Sequence, residues 1–172
     1  MTPRLSGHGL DIQLPARWEG RIYQRTAPAV SPATAARTAA INSPGGQPHP
    51  VMHLANFALP ASRGDFGTGA VETMGPQHIF VAVVEYAADC LDTALYAPRG
   101  IPTLTAAQFN PNGLQRRIVG QSGFQHFFTE GGRPFCLYAV IHEPPLTSAR
   151  ADMGAVTSVL ESLAIEPRRP AR

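Results

Sequence analysis

The costliest side chain to place in this 172-residue sequence is Glu85. It stands near the end of residues 78–86 (HIFVAVVEY), the most β-like run in the chain and a predicted central strand. A carboxylate on a covered face must be paired or have a raised pKa. Arg116, Arg117 and Arg133, on other predicted strands, are the available partners. Such a group is either a general acid or ligand contact, or one half of a structural ion pair, or a partly exposed residue at the end of its strand. Residues 124–128 place Gln125 and His126 among phenylalanines, with Tyr138 on the next strand. Together Glu85, His126, Arg133 and Tyr138 would line a ligand pocket, although core packing is the commoner use of such aromatics.

The other reactive residues give weaker signals. His49 and His53 are four apart, but Pro48 and Pro50 flank the first and a strand follows, which removes a helical metal pair. His53, His78, His126 and His142 would hold zinc or iron only if their strands were neighbours, with Glu85 or Glu143 completing the site. Cys90 and Cys136 lie 46 positions apart without a metal or redox spacing, and Cys136 sits in the apolar run PFCLYAVI, where cysteine packs as a small hydrophobe. Neither GxSxG, GxxxxGK[ST], HExxH nor DxDxDG occurs. The glycine-rich stretches 64–69 and 120–123 lack the lysine or the strand-to-helix context of a phosphate cradle. No catalytic residue, metal or cofactor is therefore assigned.

Charge narrows the partner. The net charge is +2, and charged residues make up 15% of the chain, against roughly 25% in an average soluble protein. All 14 basic residues are arginine, spread from Arg4 to Arg172 without clustering, which argues against nucleic acid. No apolar stretch reaches the roughly 18 residues of a membrane span. Arg4, His8, Asp11, Arg17 and Arg21 interrupt any signal-peptide core, so the expected address is cytoplasmic.

Positioning these residues requires a sheet. Leu10, Ile12 and Leu14 alternate on one face, and 18–25 returns through the Pro15–Trp18 turn, predicting a β-hairpin. Residues 27–50 contain 7 Ala, 5 Pro, 2 Ser, 2 Thr and 2 Gly and read as a disordered or loop insertion. Strands are predicted at 51–59, covered on both faces, and at 78–86, with a short helix at 70–74 between them. After a packed connection at 87–113, strands follow at 114–119, 123–129 and 134–142, the last two joined at Gly131-Gly132. Ala149, Met153, Val156, Leu160 and Leu163 form one helical stripe, capped by Thr147 or Ser148 behind Pro144-Pro145, and Ile165 opens a final strand. The organisation is a flexible N-terminus at 1–8, one α+β domain at 9–166 and a basic tail at 167–172. About 50 large apolar side chains suit one core of that size.

The runs GLDIQLPARWEGRIYQR, ETMGPQHIFVAVVEY, GFQHFFTEGGRPFCLYAVI and VTSVLESLAIEP resemble uncharacterised actinobacterial proteins of the Mog1/PsbP-like kind. The matching features are the strand before the Pro15–Trp18 turn and the terminal helix running into Ser162–Ile165. The resemblance implies an α/β/α sandwich around a mainly antiparallel sheet of about six to seven strands with a long C-terminal amphipathic helix, and a binding role without a shared active site. The reading that follows is a non-catalytic module that binds another protein. Two alternatives stand beside it: a ligand-binding protein or enzyme with a pocket at Glu85, His126 and Arg133 under the 87–113 connection, and a subunit of a structural or secretion-related assembly whose apolar edge strand a partner covers.

Overall fold

The computed structural model describes residues 3–25, 49–143 and 151–168. The predicted insertion up to residue 48, the caps Thr147 and Ser148 and the tail from residue 169 lie outside them. The strands are β1 (Arg4–Gly7), β2 (Leu10–Gln13), β3 (Glu19–Gln24), β4 (Pro50–Ala55), β5 (Ile79–Glu85), β6 (Gln121–Glu130), β7 (Arg133–His142) and β8 (Ala164–Ile165), with one α-helix, α1 (Met153–Glu161), among the described residues. Strand β1 falls inside the segment expected to be a flexible end.

The architecture corrects the expected sandwich. It is mostly β: a three-stranded sheet in the order β1-β2-β8 and a five-stranded sheet in the order β3-β4-β5-β7-β6, both antiparallel. The long C-terminal helix is nine residues. The periodic stripe is present, but the Asp152 carboxylate accepts the Ala155 N–H at 3.0 Å and sets the first turn at Met153. At the far end the Ser162 hydroxyl accepts the Gln13 N–H at 3.1 Å, and the chain leaves as β8, pairing Ile165 with Leu10. Among the described residues no second helical layer forms: the glycine-rich residues 56–75 lie over the outer face of the five-stranded sheet, with only a 3-10 turn at Val71–Thr73 where a short helix was expected.

Three local expectations also change. Strands β2 and β3 do not form a hairpin: the Pro15–Trp18 turn, with Arg17 at φ 68°, carries the chain from one sheet to the other. Strand β4 stops at Ala55, because the Asn56 side chain accepts the Ile79 N–H at 2.7 Å and donates to the Gln77 carbonyl at 2.9 Å, turning the chain. Residues 114–119 are a loop, and Val119 is 92% exposed. The Gly131-Gly132 hairpin forms as expected, both residues at positive φ.

Two cores result. The inner face of the five-stranded sheet (Met52, Leu54, Val81, Val83, Phe135, Leu137) packs against Leu10 and Ile12 of β2, Val156 and Leu160 of α1, and Leu104 and Phe109. The outer face (Val51, Phe80, Ala82, Val84, Tyr138, Val140) is covered by Ala70, Met74 and the half-buried Phe57, Leu59, Phe66 and Leu114. Both β4 and β5 are thus buried on two sides, and β5 is central, as their unbroken apolar runs predict.

The outer cover requires Gly67. Its φ is +83°, and a Cβ there would lie 2.4 Å from Cε1 of Phe80. Gly100 has nearly the same φ, +82°, with nothing within 4 Å. Gly100→Ala is expected to cost about 1 kcal/mol for the backbone alone, and Gly67→Ala roughly 2–4 kcal/mol because the overpacking is added. Urea midpoints of the two variants check this, and equal losses would contradict the packing.

Candidate functional site

Glu85 ends β5 and Arg133 opens β7, and the β5–β7 register pairs Glu85 with Phe135, two residues along β7 from Arg133. Residues of like parity share a face of a strand, so both side chains lie on the inner face. They are 7% and 8% exposed. The contact is two-pronged: Arg133 Nε donates to Glu85 Oε1 at 3.1 Å and Nη2 to Oε2 at 2.6 Å. The remaining donors reach main-chain carbonyls, Nη1 those of Gly9 (3.0 Å) and Glu166 (3.2 Å), Nη2 that of His8 (3.0 Å). All five guanidinium N–H groups are engaged. The guanidinium also lies 5.2 Å from the centre of the Phe135 ring, and the Glu85 carbonyl accepts from the Arg25 guanidinium.

His126 shares the inner face but stands apart. It pairs with Leu137, one row along from the Phe128 and Phe135 pair. It is stacked in a ladder between Phe124 (6.1 Å) and Phe128 (6.4 Å). Tyr138 is on the outer face, edge-on to Phe66 at 5.7 Å, and its hydroxyl accepts the Gln115 N–H at 3.0 Å. Glu85 and Arg133 therefore meet, whereas His126 and Tyr138 join neither them nor each other.

The outer face holds a polar cluster around His53, which the sequence offered only as a metal ligand. His53 is fully buried on β4 between Tyr23 and Phe80, with ring centres 5.3 and 5.1 Å away. Its Nε2 lies 2.8 Å from the Asp65 carbonyl, and its Nδ1 accepts from Arg63 Nε at 2.8 Å, which fixes the neutral Nε2–H tautomer. Burial pushes its pKa down to about 4. The Tyr23 hydroxyl donates to Asp65 Oδ1 at 3.1 Å, and the same carboxylate faces Arg25 at 3.6 Å. The available signal was the apolar run of β4, covered on both faces, which makes a histidine at its centre expensive without partners.

His142, His78 and Cys136 are also held in place. His142 Nδ1 contacts the Met74 carbonyl at 2.8 Å, and His78 Nδ1 accepts the Gly75 N–H at 3.0 Å while its ring stacks on Phe57. Among the described residues no three His, Cys, Asp or Glu side chains gather as metal ligands. Burial pushes the Cys136 thiol up to about 11, and it accepts from Gln125 Nε2 at 3.4 Å. Its neighbour Tyr86 is raised by burial to about 12.

Two clefts open on the described surface. One, about 160 Å³, runs between Ile101–Leu104 and Thr157, Leu160 and Glu161 near the C-terminal end of α1. The other, about 170 Å³, lies on the outer face between Phe66, Val71, Leu114, Gln121 and Tyr138. Neither contains Glu85, His126 or Arg133. Gln121 is 3% exposed, its Nε2 donates to the Val71 carbonyl at 2.6 Å, and its Oε1 has no partner among the described residues. An unpaired buried acceptor costs about 1–3 kcal/mol. Comparison with protein-family models, curated proteins and solved structures finds no match.

Removing one half of the inner pair strands the other. Arg133→Met is expected to lower stability by about 3–5 kcal/mol, and the Glu85→Leu/Arg133→Met double variant to lose less than the sum of the single changes. A strictly additive denaturation cycle would show that the two do not interact. His53 gives a pH dependence. The native ring, with its lowered pKa, stays neutral where the unfolded histidine, near 6.5, gains a proton. Its contribution is therefore complete above pH 6.5 and lost as pH falls toward 4. Between pH 7.5 and 5 this amounts to on the order of 2 kcal/mol, and His53→Gln is expected to flatten the decline in the urea midpoint over that range.

Proposed function

We propose that the chain is a non-catalytic binding module, acting in the cytoplasm, whose partner is another protein. The observation that carries the reading is the saturation of Arg133. Its five donors are taken by Glu85 and three main-chain carbonyls, which makes the costliest ion pair in the sequence a fastener between strands. The buried histidine, the buried cysteine and the Tyr138 hydroxyl likewise have structural partners. No helix among the described residues is long and apolar enough to cross a membrane.

The alternative of a pocket at Glu85, His126 and Arg133 draws no support from a geometry in which an aromatic pair separates His126 from the other two. The assembly-subunit reading draws no support from the β6 edge. The outer edge of β6 is bonded by the chain itself, through Thr129 N to the Pro98 carbonyl, Gly100 N to the Thr129 carbonyl, and a reciprocal pair between Asn110 and Gly123.

The test joins a turnover screen to partner capture. Purified chain and its His126→Ala variant are assayed on model ester, phosphate-ester and peptide substrates, and the chain is used to capture proteins from its native cells. Equal background turnover and a complex of fixed stoichiometry by light scattering are expected. Turnover that falls in His126→Ala would overturn the non-catalytic reading, and the absence of any stoichiometric complex would overturn the protein partner.

A further inference from the structure

The outer-face cleft combines features of a built site. Phe66 and Tyr138 stand edge to face, Val71 and Leu114 complete an apolar wall, and Thr68 and Gln115 edge the opening. At the rim Arg116 and Glu72 neutralise each other at 2.5 Å, so the cleft presents no net charge to an occupant. Within this lining, Gln121 holds its amide in one orientation: turning it over would set Oε1 against the Val71 carbonyl, which now accepts from Nε2. The acceptor left over is Oε1, which has no partner among the described residues. A native protein rarely leaves such an atom unmet.

The segment over this residue is suited to yielding. Residues 114–118 have no regular structure and are fastened by the packing of Leu114, by the Gln115 N–H on the Tyr138 hydroxyl, by the Ile118 carbonyl accepting the Gln121 N–H at 3.1 Å and by the Arg116–Glu72 pair. Its neighbour Val119 is almost fully exposed. The groove beside α1 has a comparable volume but, among the described residues, no buried side-chain donor or acceptor without a partner.

We infer that this cleft binds a small neutral molecule with one planar ring and an N–H donor that meets Gln121 Oε1. A volume of about 170 Å³ is below the roughly 300–1,000 Å³ of a drug-sized pocket and fits a single substituted ring. The apolar walls take the ring, the paired rim disfavours a charged ligand, and the acceptor selects for the donor. This site is separate from the protein partner proposed above.

Benzamide and acetophenone test it, because they share a shape and differ in the N–H donor. Titrated into the full chain labelled with nitrogen-15, benzamide is expected to shift the amides of Phe66, Gln115 and Gln121 and to bind about tenfold more tightly than acetophenone, the value of one good hydrogen bond. Gln121→Leu removes the preference. Thr68→Trp, at an exposed position, blocks the opening without touching the core and abolishes binding. Equal affinity for the two probes, a preference that survives Gln121→Leu, undiminished binding to Thr68→Trp, or no shift with either probe each overturns the inference. Partner capture is read independently, so failure here leaves that reading in place.

Discussion

The Arg133 guanidinium is the point on which the two sheets depend. The three-stranded sheet is built from strands of four, four and two residues, too little to persist alone. Arg133 reaches from the first residue of β7 to the carbonyls of His8 and Gly9 in the β1–β2 turn and of Glu166 just beyond β8, while Glu85 holds it against β5. Desolvating two charges opposes folding, and the arrangement is favourable only because every donor has an acceptor and Phe135 covers the guanidinium face. The turn is shaped for this purpose. His8 and Gly9 both have positive φ, and a Cβ on Gly9 would come within 2.8 Å of Arg133 Nη1.

That clip explains which parts of the fold were legible. The strands at residues 51 and 78 read correctly because burial on both faces leaves an unbroken apolar run, a local signal. The pairing of Leu10 with Ile165 is separated by most of the chain and leaves no local trace, so β2 was matched with its sequence neighbour β3. The C-terminal stripe shows the opposite error. Its period is helical from Ala149 to Leu163, but hydrophobic spacing does not reveal where Asp152 caps the first turn or where Ser162 and β8 end the helix. The outer cover had no period at all, because turns rich in glycine pack by shape.

The site was legible in part for a similar reason. A carboxylate at the end of an apolar strand demands a partner, and Arg133 was one of three arginines named for it. Parity contained more. Arg133 and Tyr138 are five apart on one strand and so lie on opposite faces, while a two-residue Gly-Gly turn sets His126 opposite Leu137 and puts Phe128 and Phe135 in between. The grouping of all four residues fails on that arithmetic. His53 was weighed only as a metal ligand and Gln121 not at all, because a histidine inside a strand and a glutamine at its start are unremarkable until both faces are known to be covered.

The two faces of the large sheet thus treat polar groups differently, and the difference has a mechanical origin. On the inner face Arg133 sits where β5, the β1–β2 turn and the end of β8 converge, so main-chain carbonyls are plentiful and it is fully satisfied. On the outer face the cover is irregular chain that supplies carbonyls only where it happens to pass: Asp65 over His53, Met74 beside His142 and Val71 at Gln121 Nε2. The loop at 114–118, which lines the cleft with Gln121, offers no donor, and the second half of that amide is unmet among the described residues. Recognition of a donor-bearing ligand belongs on that face because rigid β-strands hold the acceptor while the segment above it has few fastenings to give up.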